Sequence, residues 1–477
     1  MKKFRLFRLM LSSLFLVFIP SIARAAESSG SSSNTTQIWI AIGILILAAV
    51  LFLTEAIPLV ATAMLVPFLL VIFQIATFGE AFSGFSDQWV LLFLFMFIIG
   101  DSLFQVGVAD KLGHSIIRVA KNNETRLIVY VMLVSGLMSA FLSNTGTAAC
   151  LLPIMMAISK NSGISIKKLL IPMAFATSLG GAMTLIGTPP NGIIQSAYGS
   201  IKGTFTFFDF GKVSIFIFII GIIFMVTIGK KILAKIDQQS SSKGIKDPED
   251  DMKMKPEITY DRKKAPIAIA TFVLVIVFMV MSPLWQNFLP SLAPFFKSIP
   301  LVSYAVLGAV VILAAKVVTV KQAFKAVDWT TIFLFAGMLS MKPALVNSGA
   351  AEFIGKGIIQ GTGGMGINPN YAVLIALIIV SVIVTNFMSN TATAALFAPI
   401  ALEVGVLLGC SPAPLLMGVG LATSACFLTP VATPPNTLVL GPGRYSFMDY
   451  VKSGWMLQLI VVILLVLLIP IFFPFMP

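Results

Sequence analysis

Apolar runs of about 20 residues recur along the chain, each followed by a short polar or charged stretch. A run of that length is what a helix needs to cross the hydrocarbon core of a bilayer. The runs are continuously apolar and lack the alternation of a barrel strand. We therefore predict membrane-inserted helices in the segments 38–56, 60–77, 89–106, 127–159, 169–198, 212–233, 266–283, 301–318, 330–346, 371–408, 415–440 and 456–473.

Two pairs of polar motifs interrupt these apolar segments. Ser-Asn-Thr lies within a long apolar stretch at residues 143–145 and again at 389–391. Thr-Pro-Pro does so at residues 188–190 and 433–435. Further matches accompany them in the same order and at nearly the same spacing, Trp89 with Trp329 and Asp209 with Asp449. The chain therefore contains an internal repeat.

The composition agrees with a protein that lies mostly in lipid, since 58% of the residues are hydrophobic and 11% are charged. An average soluble domain has about 25% charged residues. A cytosolic enzyme and a nucleic-acid-binding protein are therefore excluded for most of the chain. Cytoplasmic loops of membrane proteins collect Lys and Arg, which explains the formal net charge of +13 without a nucleic-acid partner.

The distribution of positive charge predicts the topology. If both Ser-Asn-Thr segments are hairpins that enter and leave the bilayer on one side, nearly all of the 32 Lys and Arg residues become cytoplasmic. The exceptions are Arg24, Lys202, Lys212, Lys297, Lys342 and Lys356. The first hairpin then opens from the inside and the second from the outside, so the repeats are inverted. We predict an all-α polytopic protein of a bacterial inner membrane, with two inverted repeats that each contain a re-entrant hairpin and a broken transmembrane helix.

Four regions follow from this topology. Residues 1–37 begin with basic residues, an apolar run and an Ala-Arg-Ala sequence, which together are typical of a cleaved signal. A Ser-rich outer linker follows them. An uncleaved first helix explains the same features equally well. Residues 38–233 form the first inverted repeat with its preceding helix, and residues 234–264 form a charged cytoplasmic linker. Residues 265–477 form the second inverted repeat with its preceding helix.

The two motif pairs carry the chemistry that the apolar segments lack. A Thr-Pro-Pro in mid-membrane breaks the helical hydrogen-bond ladder, and the freed backbone groups need a partner such as an ion or a substrate. The oxygens of Ser-Asn-Thr suit a hard cation such as Na⁺, while N–H groups at helix N-termini suit a carboxylate or another oxyanion. For one motif alone, a proline kink satisfied by neighbouring helices is an equal alternative. Two copies, each after a polar tip, favour a binding site.

Other functions are disfavoured by what the sequence lacks. It contains no phosphate-binding loop, nucleophile–base pair or zinc-ligand spacing, so we expect neither an ATP-driven pump nor an enzyme. The motif regions contain no Lys or Arg, so helix dipoles and co-bound cations would have to neutralise a dianionic substrate. Three acids in or near apolar segments, Glu55, Asp101 and Glu403, keep proton coupling open.

The paired motifs, in this order over nearly the whole chain from Thr54 onward, resemble those of the divalent anion/sodium symporter family. Members transport dicarboxylates, citrate and, in some cases, sulfate. The resemblance implies Na⁺ as the co-transported ion. It also implies a homodimer in membrane lipid, in which each protomer has a scaffold domain and a transport domain that moves by an elevator-like mechanism.

The resemblance further implies roles for individual residues of the motifs. The first sodium site would consist of Ser139, Ser143, Asn144 and Gly187. The second would consist of Thr385, Ser389, Asn390 and Ala432. The substrate carboxylates would lie among Asn144, Thr145, Asn390 and Thr391, with Thr188, Pro189, Thr433 and Pro434 alongside.

The sequence thus predicts sodium-coupled symport of a small C4-type dicarboxylate such as succinate, malate or fumarate. A permease for sulfate or another divalent oxyanion, and a sodium-independent dicarboxylate exchanger, are alternatives on the same fold. A non-transporting membrane receptor is disfavoured, because the linker at 234–264 is too short for an output domain.

Overall fold

Helices joined by short turns build the protein in the computed structural model, which describes residues 33–108, 123–242, 260–282, 299–363 and 366–476. Within these ranges no strand is present. The signal-like start predicted at residues 1–37 falls outside the described residues up to position 32, and so do residues 243–259 of the predicted linker.

The helices are numbered in chain order, and the first ten belong to the first half of the described chain. They are α1 (Ser33–Thr54), α2 (Leu59–Ile72), α3 (Phe78–Phe82), α4 (Gln88–Gln105), α5 (Glu124–Ser139), α6 (Asn144–Ser162), α7 (Lys167–Gly181), α8 (Pro189–Gly199), α9 (Gly211–Phe224) and α10 (Lys230–Ser242). A 3-10 turn at Ser83–Ser86 joins α3 to α4, and a π turn at Met225–Gly229 joins α9 to α10.

The second half of the described chain begins after the linker. Its helices are α11 (Lys264–Met281), α12 (Leu301–Ala314), α13 (Val320–Ala326), α14 (Trp329–Met338), α15 (Met341–Asn347), α16 (Ala350–Thr362), α17 (Pro369–Thr385), α18 (Asn390–Leu407), α19 (Ala413–Thr423), α20 (Pro434–Leu440) and α21 (Phe447–Phe472).

Seven helical stretches in the described ranges are long and apolar enough to cross a membrane, and each has at least 18 residues. Shorter apolar helices, including α2, α12 and α17, accompany them. The prediction of an all-α, multi-pass membrane protein is therefore confirmed.

Both Ser-Asn-Thr motifs lie at the tips of helical hairpins. Residues 140–143 join α5 to α6, and residues 386–389 join α17 to α18. The two arms of each hairpin pack against each other. Because α6 begins at Asn144 and α18 at Asn390, the polar residues fall in the first helical turn after each tip.

The two halves interlock through their broken helices. The helix after the first Thr-Pro-Pro, α8, packs on α18 and α19 of the second half. Its counterpart α20 packs on α6 and α7 of the first half. Each of these helices therefore leaves its own repeat and contacts the hairpin and the broken helix of the other, which brings both motif pairs to one place.

Two helices begin earlier in the chain than predicted, because polar residues precede their apolar segments within the same helix. Helix α1 begins at Ser33, inside the predicted outer linker, and α21 begins at Phe447 rather than at position 456. Hydropathy locates the part of a helix that lies in lipid, whereas a helix continues into the interface as long as its first turn is capped. Ser446 and Asp449 form such a capping box before α21.

The prediction of a flexible linker from residue 234 is wrong for residues 234–242, which belong to α10. Leu233 and Ile236 are buried along one face of this amphipathic helix. On another face, Asp237 accepts a hydrogen bond from the Ser165 hydroxyl at 2.8 Å. The polar composition that indicated a linker is the solvated face of a helix that packs on its neighbours.

The predicted helix at 330–346 is two helices, α14 and α15, in the structure. Pro343 explains the break, because its ring clashes with the carbonyl of Leu339 in a continuous helix. The prediction also omitted α16, since its apolar residues occupy one face only and form no continuous run. Glu352 and Lys356 form an ion pair at 2.6 Å on its exposed side.

A close contact between α5 and α7 depends on two glycines. A Cβ on Gly180 would lie 2.1 Å from the carbonyl oxygen of Gly136, and a Cβ on Gly136 would lie 2.3 Å from the Phe218 ring. Small residues of this kind let helix backbones approach each other in a membrane protein.

The Gly180→Val variant is therefore expected to lower the melting temperature in detergent by about 5 °C or more, because overpacking costs about 1–3 kcal/mol.

The matched control is Gly357→Ala in α16, where a Cβ would meet no atom within 4 Å. It is expected to leave the melting temperature unchanged or to raise it, since Ala favours a helix over Gly. Equal melting temperatures for Gly180→Val and the wild type would show that the two backbones are not in contact.

Candidate functional site

The first hairpin tip is shaped by a helix cap. Ser143 is the N-cap of α6, and its Oγ accepts a hydrogen bond from the N–H of Gly146 at 3.0 Å. The remaining N–H groups of the first turn have no helical partner. Ser389 occupies the same place before α18, but its side chain makes no capping hydrogen bond, and Asn390 and Thr391 begin the helix.

Each Thr-Pro-Pro ends a break in a transmembrane helix. Helix α7 stops at Gly181 and α8 starts at Pro189, while α19 stops at Thr423 and α20 starts at Pro434. Proline has no N–H to bond backward, so it begins a helix but cannot continue one. Thr188 and Thr433 are the N-caps, both with extended backbones.

One cavity of about 550 Å³ contains both tips and both breaks. All eight residues predicted to contact substrate line it: Asn144, Thr145, Thr188, Pro189, Asn390, Thr391, Thr433 and Pro434. Of the residues predicted to bind sodium, Ser143, Asn144, Ser389, Asn390 and Ala432 also line it. The other three, Ser139, Gly187 and Thr385, lie behind the tip asparagines, away from the cavity surface.

Oxygen atoms crowd together behind the first tip. The hydroxyl of Ser139 donates to Oδ1 of Asn144 at 2.6 Å. A Cβ on Gly187 would lie 2.4 Å from the carbonyl oxygen of Gly181 and 2.8 Å from that of Ala140. The carbonyl oxygen of Ser139 is 3.0 Å from the same point. Glycine is thus required where three carbonyl oxygens converge, and carbonyls of unwound helices are typical sodium ligands.

A second oxygen cluster lies behind the other tip. The hydroxyl oxygen of Thr385 is 2.7 Å from Oδ1 of Asn390 and 2.9 Å from the carbonyl oxygen of Thr423. A hydroxyl has one proton, so it cannot fully satisfy both acceptors. The excess of acceptors over donors suits a cation. Ala432 stands in the sequence where the first half has Gly187.

The same asparagine brace supports both breaks. Nδ2 of Asn191 donates to the carbonyl oxygen of Thr184 at 2.8 Å, and Nδ2 of Asn436 donates to that of Thr429 at 3.0 Å. Oδ1 of each asparagine is buried and has no hydrogen-bond partner among the described residues. Buried polar atoms are nearly always satisfied, so these two equivalent acceptors are able to bind a further donor or cation.

The cavity wall carries negative charge. Glu55 and Asp328 line it, and among its described lining residues none is Lys or Arg. Glu55 is one of the three acids noted in or near apolar segments of the sequence, whereas Asp328 was not predicted as a site residue. A signal for Asp328 existed in the repeat, because both halves have an Asp as N-cap: Asp87 caps α4 through the N–H of Trp89 at 2.8 Å, and Asp328 caps α14 through the N–H of Thr331 at 3.2 Å.

The other two acids in membrane segments lie elsewhere. Asp101 borders an adjoining cavity of about 230 Å³ together with Lys325, next to the first tip. It accepts a hydrogen bond from Gln105 at 3.2 Å. Glu403 lies in a separate cavity of about 530 Å³ with Lys342, and none of the motif residues is in its described lining.

The fold and the cavity define a class of protein, a multi-pass transporter of the inner membrane and not an enzyme. A sequence model of the CitMHS family, described as citrate transporter, matches residues 49–409. The chain therefore belongs to the citrate transporter family. Its resemblance to divalent anion/sodium symporters is confirmed at this level.

Individual relatives span nearly the whole chain. An uncharacterised transporter of Haemophilus influenzae is 30% identical over 89% of this chain and 89% of its own length. The sodium-dependent dicarboxylate transporter SdcS of Staphylococcus saprophyticus is 26% identical over 90% of this chain and 85% of its own length. The crystal structure of the Alcanivorax borkumensis YdaH transporter covers 93% of this chain and 99% of that chain, with a TM-score of 0.57 at 15% identity, and shares the fold.

Proposed function

We propose that the protein is a secondary active transporter that couples Na⁺ to the movement of C4-type dicarboxylates such as succinate, malate and fumarate. The charge of the cavity carries this proposal, because two carboxylates and neither Lys nor Arg line it among the described residues. A dianion that leaves water for such a site needs compensating positive charge. Co-bound cations supply it, so substrate binding depends on cation binding.

Sodium occupies the two oxygen clusters behind the tip asparagines. Its ligands in the first cluster are Ser139, Ser143, Asn144 and Gly187, and in the second Thr385, Ser389, Asn390 and Ala432. A bound ion fixes the orientation of each asparagine and draws the tip toward the broken helix. The tips then present their N–H groups and polar side chains to the substrate.

The substrate carboxylates bind between the two tips. Helices α6, α8 and α18 direct their N-termini into this region, and partial positive charge at helix N-termini favours anions. The residues that contact substrate are Asn144, Thr145, Thr188, Pro189, Asn390, Thr391, Thr433 and Pro434. The dicarboxylate specificity is supported by the name of the SdcS relative, the sodium-dependent dicarboxylate transporter.

An elevator-like movement fits the way the helices pack. The hairpins and broken helices interlock across the two halves, so they would move as one body. Helices α1 and α2, and likewise α11 and α12, pack with each other and contact this body mainly through α14, α16 and α4, with a small direct contact of α1 on α18. In the topology proposed from the charges, with inverted repeats and re-entrant hairpins, Glu55 and Asp328 lie on the cytoplasmic side and the cavity opens inward. The homodimer rests on the family resemblance.

Uptake of labelled succinate into proteoliposomes tests the proposed function. With the purified protein and an inward Na⁺ gradient, we expect saturable uptake that disappears when K⁺ replaces Na⁺. Protein-free liposomes are the control. Uptake at full rate without Na⁺ would refute sodium coupling and identify an exchanger or uniporter. Transport of sulfate in place of succinate would refute the dicarboxylate assignment and identify an oxyanion permease.

A further inference from the structure

Gln458 is a buried amide on α21, a helix that is otherwise largely apolar. Its Nε2 donates to the carbonyl oxygen of Ala425 at 2.7 Å, and its Oε1 accepts from the N–H of Phe427 at 3.2 Å. Only 5% of its surface is exposed. A polar side chain at this depth is costly unless it is fully bonded, and here both of its polar groups bond the interrupted segment after α19.

Asn386 bonds the same segment from the opposite side. Its Oδ1 accepts from the N–H of Leu428 at 3.0 Å, and its carbonyl oxygen accepts from the hydroxyl of Thr429. Its Nδ2 donates to the carbonyl oxygen of Val382 at 2.7 Å and lies 3.5 Å from the carbonyl oxygen of Ala425. We call Asn386 and Gln458 together the amide clamp. The clamp satisfies backbone groups on both faces of residues 425–429.

The described residues of the first half contain no equivalent of the amide clamp. Ala140 stands at the position of Asn386, and α9, the counterpart of α21, contributes the hydroxyl of Ser214 to the carbonyl oxygen of Ala182 at 3.2 Å. The first break is also shorter, residues 182–188 against residues 424–433. Unwound backbone in a membrane must find partners. The longer break therefore needs more side-chain donors and acceptors to hold one conformation.

The clamped segment touches the residues of the second oxygen cluster. Sγ of Cys426, between the two backbone groups bonded by Gln458, lies 3.6 Å from Nδ2 of Asn390. Two residues before the segment, at the end of α19, the carbonyl oxygen of Thr423 is 2.9 Å from the hydroxyl oxygen of Thr385. The position of the segment thus sets the orientation of Asn390 and the distance between the oxygens of the cluster.

We infer that Asn386 and Gln458 are positioning residues of the second sodium site, acting through residues 423–428 without contacting the ion. This inference rests on the proposed function and makes the two sodium sites unequal. The first site depends on a glycine that leaves room for carbonyl oxygens, whereas the second depends on a segment held by two amides. Loss of the clamp weakens the second site and leaves the first intact.

The Gln458→Leu variant tests the clamp, since it removes both bonds while keeping a buried side chain of similar size. We expect the Na⁺ concentration for half-maximal succinate uptake to rise about tenfold, as two buried hydrogen bonds are lost. The KM for succinate at saturating Na⁺ is expected to stay within about twofold of the wild type, because bound Na⁺ then fixes the orientation of Asn390. Stabilisation of the protein by NaCl alone, measured as a shift of the melting temperature against KCl, is expected to shrink in parallel.

Two further variants complete the experiment. Leu459→Ala changes an exposed residue of the same helix and is expected to behave as the wild type. Gln458→Glu keeps the acceptor for the N–H of Phe427 but loses the amide donor to Ala425. We therefore expect a Na⁺ concentration for half-maximal uptake between those of the wild type and Gln458→Leu. This variant tests the clamp if Gln458→Leu does not fold. An unchanged sodium requirement in the folded variants would overturn the inference. A wild type that needs no sodium would overturn the proposed function instead.

Discussion

The Asn144→Ala variant is expected to lose sodium-driven succinate uptake by about 100-fold or more. The amide oxygen of Asn144 is both a proposed sodium ligand and the acceptor for the Ser139 hydroxyl at 2.6 Å. Alanine removes the ligand and leaves a buried hydroxyl without its partner. Losses of this kind cost about 3 kcal/mol, which corresponds to about a 100-fold change. Initial uptake rates in proteoliposomes under an inward Na⁺ gradient measure the effect.

The repeat provides a second test of the same idea. Asn390 has the equivalent bond, with the Thr385 hydroxyl at 2.7 Å, so Asn390→Ala is expected to show a loss of similar size. Asn370→Ala, at the start of α17 and outside the cavity lining, is the matched control and is expected to transport normally. Uptake within about twofold of the wild type in Asn144→Ala would refute the site, since a lost ligand must lower the affinity.

The Gly187→Ala variant is expected to lower the affinity for Na⁺ by at least about tenfold, because one added methyl group enters a filled space. The new Cβ would lie 2.4 Å from the carbonyl oxygen of Gly181 and 2.8 Å from that of Ala140. Both neighbours are backbone atoms in interrupted or tip segments, so they can yield only by moving away from the oxygen cluster. Sodium-dependent thermal stabilisation and the Na⁺ dependence of uptake measure the change.

Gly199→Ala is the matched control for this substitution. Gly199 ends α8, the helix that follows the same break, and a Cβ there would meet no atom within 4 Å. Normal sodium affinity in Gly199→Ala and reduced affinity in Gly187→Ala would assign the effect to the cluster. If Gly187→Ala binds Na⁺ as the wild type does, the carbonyl oxygens near Gly187 are not sodium ligands.

The two halves use different means to reach a similar arrangement. Both place a hydroxyl against the tip asparagine, and both brace the break with an asparagine after Thr-Pro-Pro. The second half has Ala432 at the position of Gly187, and its amide clamp holds a longer unwound segment. If both clusters bind Na⁺ as proposed, these differences are expected to give them unequal affinities.

The prediction from sequence was accurate where local chemistry determines structure. Pro189 and Pro434 begin helices because they lack an N–H, and Asn144 follows its hairpin tip because Ser143 caps the helix. It was wrong at residues 234–242 and incomplete at α15 and α16. At these places the helices are amphipathic or contain an internal proline. A search for continuously apolar runs detects neither feature.

The amino-acid sequence by itself determined the membrane class, the hairpins, the breaks and the pairing of motifs, since each depends on neighbouring residues or on an internal repeat. Only the tertiary structure decided which oxygens meet, that Glu55 and Asp328 line the same cavity, and that Gln458 bonds the segment at 425–427. The physical reason is that these contacts join residues far apart in the chain. No local pattern encodes such contacts, and the packing of α8 and α20 onto the opposite half brings both tips into one cavity.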